Sequence, residues 1–410
     1  MSEYVPFDIQ IEIIKKLPIK SLLQFRSVSK SWKSIIDSSE FVANYHLNND
    51  QLQHRVLVSY DSSTYDHYSN VEDLKYVTIV DDDSFPQNKF PLILPSCSTQ
   101  LLGYDPSILG SSQGVFCLCV NFGESTYWYY SFGEAKTFVL WNPTIQKSVP
   151  VIVPGGENDM KFRCVFGFGV CPRTSVHKLV KISYISTLRF DYLDIDKHSQ
   201  IEIFSLSSGS CRRSFSMNVP RISIELDREH VCVDKCIYWY AFDRTVTPET
   251  KRKKNLILSF DMTTEEFTEI DLCDGLKEEY AGKAYGCCGY LSISKLGTSL
   301  VVLQPKGGYG KEISVWRMEH GVPNSFTKLF VIKSPIESLG IDEVHGFRKT
   351  GEPIIDTGMT TTDKNYIGNI VVYEPKLGEI SDIGITSAGY LCLAQSYIET
   401  LVLLDHRGGE

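Results

Sequence analysis

The chain lacks a long apolar run: nowhere do its 410 residues approach the roughly 18 uncharged residues of a membrane-crossing helix. Its opening residues, MSEYVPFDIQ, show no basic stretch followed by an apolar one, which is the pattern of a secretory signal. The expected location is therefore the cytoplasm, the nucleus or both, without membrane insertion. Positive charge is also in deficit. Lys and Arg number 41 against 50 Asp and Glu, a net −9, which argues against nucleic-acid binding, where a basic field is the usual footprint. The one basic run, Lys251-Arg252-Lys253-Lys254, reads as a solvated hairpin tip, with a nuclear import signal as the alternative.

Catalytic and metal-binding patterns are missing too. The GGYG at 307–310 is not followed by Lys-Ser or Lys-Thr, so it does not make a phosphate loop. The histidines His177, His230, His320 and His345 stand apart, and the acidic runs Asp81-Asp82-Asp83 and Glu278-Glu279 read as solvated loops. The twelve cysteines are spread from Cys97 to Cys392, many inside apolar segments such as VFCLCV and VCVDKCIYW. There a reduced thiol acts as a small hydrophobe. Cys232 and Cys236 have no second pair at zinc-finger spacing, and adjacent Cys287-Cys288 is poor chelating geometry. No catalytic residue, metal or cofactor is assigned.

What is present falls into two regions of different periodicity. In VPFDIQIEIIKKL, the residues Ile9, Ile13, Ile14 and Leu17 fall on one helical face. Pro6 suits a first turn and Pro18 ends the segment. A second short helix carries Leu22, Leu23 and Phe25. A third, from about Val28 to Asp37, carries Val28, Trp32, Ile35 and Ile36, with Ser27 or Ser29 as its cap. A unit of about 40 residues rarely sustains a core of its own, yet this one shows apolar side chains on more than one face. Some of them must meet a partner.

This stretch resembles the F-box over its whole length. The family marks are Pro6, Ile9, Ile13, Leu17-Pro18, Ser21-Leu22-Leu23, Phe25-Arg26, Val28, Lys30, Trp32 and Phe41. Val5 stands where the family usually has leucine, and Ser29 where it often has cysteine. The resemblance implies docking on a Skp-type adaptor and, through it, on cullin and RING subunits. The residues it nominates for adaptor binding are Pro6, Ile9, Ile13, Leu17, Pro18, Leu22, Leu23, Phe25, Val28 and Trp32.

From about His54 onward, short β-branched and aromatic runs alternate with turn residues, an all-β pattern. Five segments share one shape: a strand bearing an aromatic, a polar turn, then a second strand. The aligned aromatics are Trp141, Phe204, Phe260, Trp316 and Tyr373, which recur at nearly constant spacing. A repeat of that length with strands inside it points to a β-propeller with one four-stranded blade per repeat. About six blades fit, with seven as the alternative count. The late segments YLCLAQ and TLVLLD are expected to pair with RVLVSY and close the ring.

The region also resembles the plant F-box-associated, kelch-like interaction domain. Its phrases follow one another as GSSQGVFCL, LWNPT, FGFGVCP, IEIFSL, IYWYAFD, ILSFDMTTEEF, ISVWRM, SFTKLF, VHGFRKTGE, IVVYEP and ETLVLLD. One departure is FGFGVCPRTSVHKLVKI, where the family commonly has an acidic Asp-Tyr-Lys-Val stretch.

The expected fold is thus a small all-α F-box of three helices (1–44), a linker (45–53), an all-β kelch-like β-propeller (54–405) and a short tail (406–410). Repeat symmetry puts the segments 121–136, 189–200, 243–255, 304–311 and 360–367 on one rim. Tyr127, Trp128, Tyr130, Arg252, Lys253 and Tyr309 on that rim are candidates for binding a protein substrate, since aromatics and arginines concentrate at interface hot spots. The alternative for the aromatic run is a strand with alternate rings buried. The expected function is substrate recognition within a Skp–cullin–F-box ubiquitin ligase. An F-box scaffold outside the ligase and a glycan-binding propeller are the alternatives.

Overall fold

The computed structural model describes residues 5–47, 52–62, 74–95, 107–120, 136–153, 162–185, 200–207, 210–215, 220–221, 223–243, 245, 254–277, 291–306, 311–319, 322, 324–334, 341, 343–360, 366–387 and 393–402. It opens on four helices: α1 (Phe7–Ile14), α2 (Ile19–Val28), α3 (Lys30–Ile36) and α4 (Ser39–Leu47). Pro6 and Pro18 stand immediately before α1 and α2, where a missing N–H costs nothing. Ser29 caps α3 by accepting from the Trp32 N–H at 3.1 Å, and the Ser38 hydroxyl accepts from the Phe41 N–H at 3.2 Å ahead of α4. Arg26 grips Asp37 with a donor at 2.9 Å, tying α2 to the end of α3.

Two expectations need correction here. Val28 closes α2 and does not open α3. A fourth helix runs into the stretch expected to be linker. In that helix Tyr45 is only 1% exposed and its hydroxyl donates to the Leu17 carbonyl at 2.7 Å, because three short helices leave a gap in their core that its ring fills.

Among the described residues, twenty-four strands follow in six antiparallel four-stranded sheets. After β1 (His54–Asp61), β2 (Leu74–Val80) and β3 (Lys89–Leu92) come five complete blades. The first holds β4 (Ser107–Ser112), β5 (Val115–Val120), β6 (Lys136–Asn142) and β7 (Lys147–Val153). The second holds β8 (Phe162–Val170), β9 (His177–Ile185), β10 (Gln200–Ser207) and β11 (Ser210–Phe215). The third holds β12 (Ile224–Val233), β13 (Cys236–Asp243), β14 (Lys254–Asp261) and β15 (Glu266–Asp271). The fourth holds β16 (Ser292–Leu296), β17 (Ser299–Lys306), β18 (Glu312–Met318) and β19 (Phe326–Lys333). The fifth holds β20 (Glu343–Phe347), β21 (Pro353–Thr360), β22 (Tyr366–Glu374) and β23 (Glu379–Ser387). The sixth sheet is ordered β24-β1-β2-β3, with β24 (Leu393–Ile398) as its innermost strand, so both ends of the propeller build one blade. This is a six-bladed propeller, and the five repeat aromatics all lie on the third strand of a blade.

The closing pair, from His54↔Ile398 to Ser59↔Leu393, joins the two segments expected to meet. The TLVLLD segment departs from expectation. Its described residues form no strand and instead pass beneath the ring, where Leu401 is fully buried.

Apolar side chains fill the wedge between each pair of neighbouring blades, the last included: Leu57, Tyr76 and Tyr397 of the closing blade meet Phe116, Leu118 and Trp141 of the first. Between blades two and three, Trp239 packs so closely over β8 that a Cβ on Gly167 would overlap its ring, and its indole N–H donates to the Phe166 carbonyl at 3.2 Å. His230 ties three blades together. Its Nε2 accepts from the Phe168 N–H at 2.9 Å, and its ring lies against Gly110.

Burial holds the His230 imidazole down to about 4, and a ring nitrogen that accepts from the Phe168 N–H is one that stays unprotonated. A value below the ordinary 6.5 means the folded state resists protonation more than the unfolded chain does. Its contribution is complete above about pH 6.5 and is lost as the pH falls toward 4. A His230→Gln variant, which retains an acceptor for Phe168, should show a shallower fall in melting temperature across that window than the natural chain. Parallel melting curves for the two proteins would contradict this account.

Candidate functional site

The ring has two unlike faces. Turns joining the first to the second strand of a blade, and the third to the fourth, are short, as at 113–114, 234–235 and 262–265, and the longest of them is 81–88. Segments joining second to third strands, and one blade to the next, are mostly longer, as at 62–73, 121–135, 186–199 and 272–291. Adjacent strands are antiparallel, so all the former end on one face and all the latter on the other.

The helices sit on the short-turn face. The chain enters the ring there at His54, and Leu401, Val402, Leu52 and Ile145 join the helical core of Ile14, Ile19, Leu22, Ile36, Phe41, Val42 and Tyr45. The long-segment face therefore opens away from the helices.

On the helices, exposed apolar residues are dense. Among the described residues, six of the fourteen large exposed hydrophobics lie between positions 5 and 28, namely Val5, Phe7, Ile9, Ile13, Phe25 and Val28. That density distinguishes this surface from the rest, where such residues are scattered, and marks it as one to be covered.

Residues 5–44 match the F-box domain, and residues 129–402 match the F-box associated beta propeller domain. The chain belongs to the F-box-associated β-propeller family. Among curated relatives from Arabidopsis thaliana, the putative F-box protein At3g10430 is 27% identical over 286 residues, covering 67% of this chain and 62% of its own length. The putative F-box only protein 15 is 26% identical over 360 residues, 83% of this chain and 77% of that protein. The F-box protein At3g07870 is 23% identical over 414 residues, 93% and 87%. For At3g10430 and two further Arabidopsis thaliana relatives, the match spans only about three-fifths of their length, 60–62%. Among solved structures, the Hadza microbial sialidase Hz136 superposes with a TM-score of 0.39 at 8% identity, covering 74% of this chain and 64% of that one; this likeness carries no functional argument.

Within the F-box, the ten nominated residues separate by burial. Pro6, Ile9, Ile13, Pro18, Phe25 and Val28 are exposed. Leu17, Leu23 and Trp32 are half-buried against the core, and Trp32 also stacks on Phe7 with ring centroids 5.6 Å apart. Leu22 is fully buried, so its nomination as an adaptor contact is corrected: it has no surface to offer and belongs to the core of the helices. Phe7 and Val5 fall outside the nominated set. Phe7 is 50% exposed, and an aromatic just inside a helix start is the signal that could have found it.

The candidates Tyr127, Trp128, Tyr130, Arg252, Lys253 and Tyr309 lie outside the described residues. The strand ends bracketing them, β5–β6, β13–β14 and β17–β18, all open onto the long-segment face. A sixth equivalent segment, 62–73, joins β1 to β2. The repeat does not reveal it, because Val80 stands at the end of β2 where the other blades carry an aromatic. Among the described residues no three His, Cys, Asp or Glu side chains gather as a metal site.

The burial pattern predicts opposite outcomes for neighbouring substitutions. Leu22→Ala should cost about 2–5 kcal/mol of F-box stability, while Ile9→Ala or Val28→Ala should stay within about 0.5 kcal/mol. Hydrogen exchange of the α1–α4 amides reads both, and equal protection in all three variants would refute the division into core and surface.

Proposed function

We propose that this chain is a non-catalytic substrate receptor of a Skp–cullin–F-box ubiquitin ligase. The exposed apolar side chains of α1 and α2 dock on the Skp-type adaptor, which brings the cullin and RING subunits. The long-segment face of the propeller holds a protein to be ubiquitinated. One observation carries the reading: a dense apolar surface on the F-box and the strand ends that carry the long connecting segments of the propeller lie on opposite sides of one ring. That is the arrangement a bridging subunit needs. Removing several half-exposed isoleucine, phenylalanine and valine side chains from water gains about 25 cal/mol per Å² of apolar area, and nothing within the described chain covers them.

Copurification from plant cells tests the proposal. The natural chain should bring down a Skp-type adaptor and a cullin, and Ile9→Asp combined with Ile13→Asp should lose both while the propeller melts normally. A natural chain that captures neither would overturn it.

The substrate side has its own test. Replacing Trp128 and Tyr130, or Lys251 to Lys254, should weaken capture of the natural substrate with adaptor binding intact. Loss of a hot-spot aromatic exceeds about 2 kcal/mol, roughly thirtyfold. The basic segment should give a smaller, salt-sensitive effect through association rate. Lys376→Ala, in the short turn 375–378, should change neither. The reverse result, with Lys376 required and the aromatics dispensable, would put the substrate on the other face.

A further inference from the structure

The F-box core does not close on itself. Its fully buried members include Leu401, which lies just past β24, with the whole propeller between it and α4 in sequence. Five contacts hold this segment in place. The Glu399 N–H donates to the Gln53 carbonyl at 3.0 Å, extending the pairing of β24 with β1 by one step, and Arg55 forms an ion pair with the Glu399 carboxylate. Thr400, 2% exposed, lies over Gly114 so tightly that a Cβ there would overlap its methyl group and the Ile398 carbonyl; Gly114 also has φ +72°. The carboxamide of Asn142, fully buried at the end of β6, donates to the Thr400 carbonyl at 3.0 Å and the Val402 carbonyl at 2.8 Å. Its oxygen accepts from the Thr144 N–H at 2.9 Å, and the Val402 N–H donates to the Thr400 hydroxyl at 3.0 Å. Beside this knot, Ile145 of the next short turn also packs against the F-box.

We infer that the F-box is completed by the strand tail that closes the propeller, so that the fold of the adaptor-facing helices and the closure of the ring stabilise each other. Leu401 can reach the F-box only where β24 has paired with β1, since residues 399–402 follow that strand directly. An open ring therefore leaves α1–α4 as a unit of some 40 residues lacking a core side chain, a size at which a helical core is marginal. Linkage makes the effect reciprocal: a partner that binds only folded helices must tighten the closing strand by the same factor. The adaptor half of this inference rests on the ligase reading; the coupling of helices to ring does not.

The experiment uses the full-length chain and hydrogen exchange by mass spectrometry. Leu401→Asn removes the core side chain. Asn142→Asp replaces two donors by an acceptor facing two carbonyls without changing size. Both variants should lose at least about tenfold protection in α1–α4 and weaken binding to purified Skp-type adaptor, with blades two to four exchanging as before. Leu377→Asn, on the same face but 70% exposed and away from the tail, should match the natural chain. In the natural chain, saturating adaptor should slow exchange across Leu393–Ile398.

Helices that stay protected in both tail variants would overturn the coupling. Should a variant unfold altogether, the adaptor titration of the natural chain decides, and an unchanged closing strand there counts against the inference. An adaptor that never binds removes the ligase reading, and the exchange of the helices in the variants still decides the coupling.

Discussion

A ring of sheets has one joint that covalent connectivity does not supply, and everything else in this molecule depends on how that joint is made. Here the innermost strand of the closing blade comes from residues 393–398 and its three outer strands from residues 54–92. Without that pairing, β1 presents an unpaired edge, and the wedges on either side of the closing blade, filled by Val56, Ile79, Ile354 and Ile370 on one side and Leu57, Phe116, Trp141 and Tyr397 on the other, open to water. The interaction is local in space and spans nearly the whole chain in sequence.

The same joint fixes the functional geometry. Because β1 begins on the short-turn face, the helices preceding it are delivered there, and the tail leaving β24 arrives at the same place. The strand ends that carry the long segments are thereby left on the far face. The six wedges tolerate little change, since each is packed with buried aliphatic and aromatic side chains.

Much of this is legible in the sequence, for reasons that also explain what is not. The five aromatics at Trp141, Phe204, Phe260, Trp316 and Tyr373 recur because five of the six blades carry a ring at the equivalent position of the third strand, and a period survives in sequence. The closing blade escapes that search because Val80 occupies the position without a ring, and the segment 62–73 escapes with it. The helical pattern shows which residues are apolar but not which are covered. Leu22 and Val28 both read as stripe residues, yet one is fully buried and the other 73% exposed, because burial is decided by a core to which distant parts of the chain contribute. Helix α4 does not stand out, since Phe41, Val42 and Tyr45 alone make too short a period, and its last residues 45–47 read as linker. Leu401 cannot be assigned from sequence at all: no local pattern records a contact made across the whole chain.

The tail beneath the ring also sets the order of events at the ribosome. The F-box helices are translated first, but Leu401 emerges only after every blade has been made, a delay of roughly 20–70 s at ordinary synthesis rates. Through that interval the first-made domain exists without its last core side chain, and the early strands β1–β3 wait as a three-stranded sheet with an open edge. Domains usually mature from the N-terminus as they are made. This chain reverses the sequence, so a nascent or prematurely terminated copy carries unfinished helices, and those helices mature only once the ring has closed behind them.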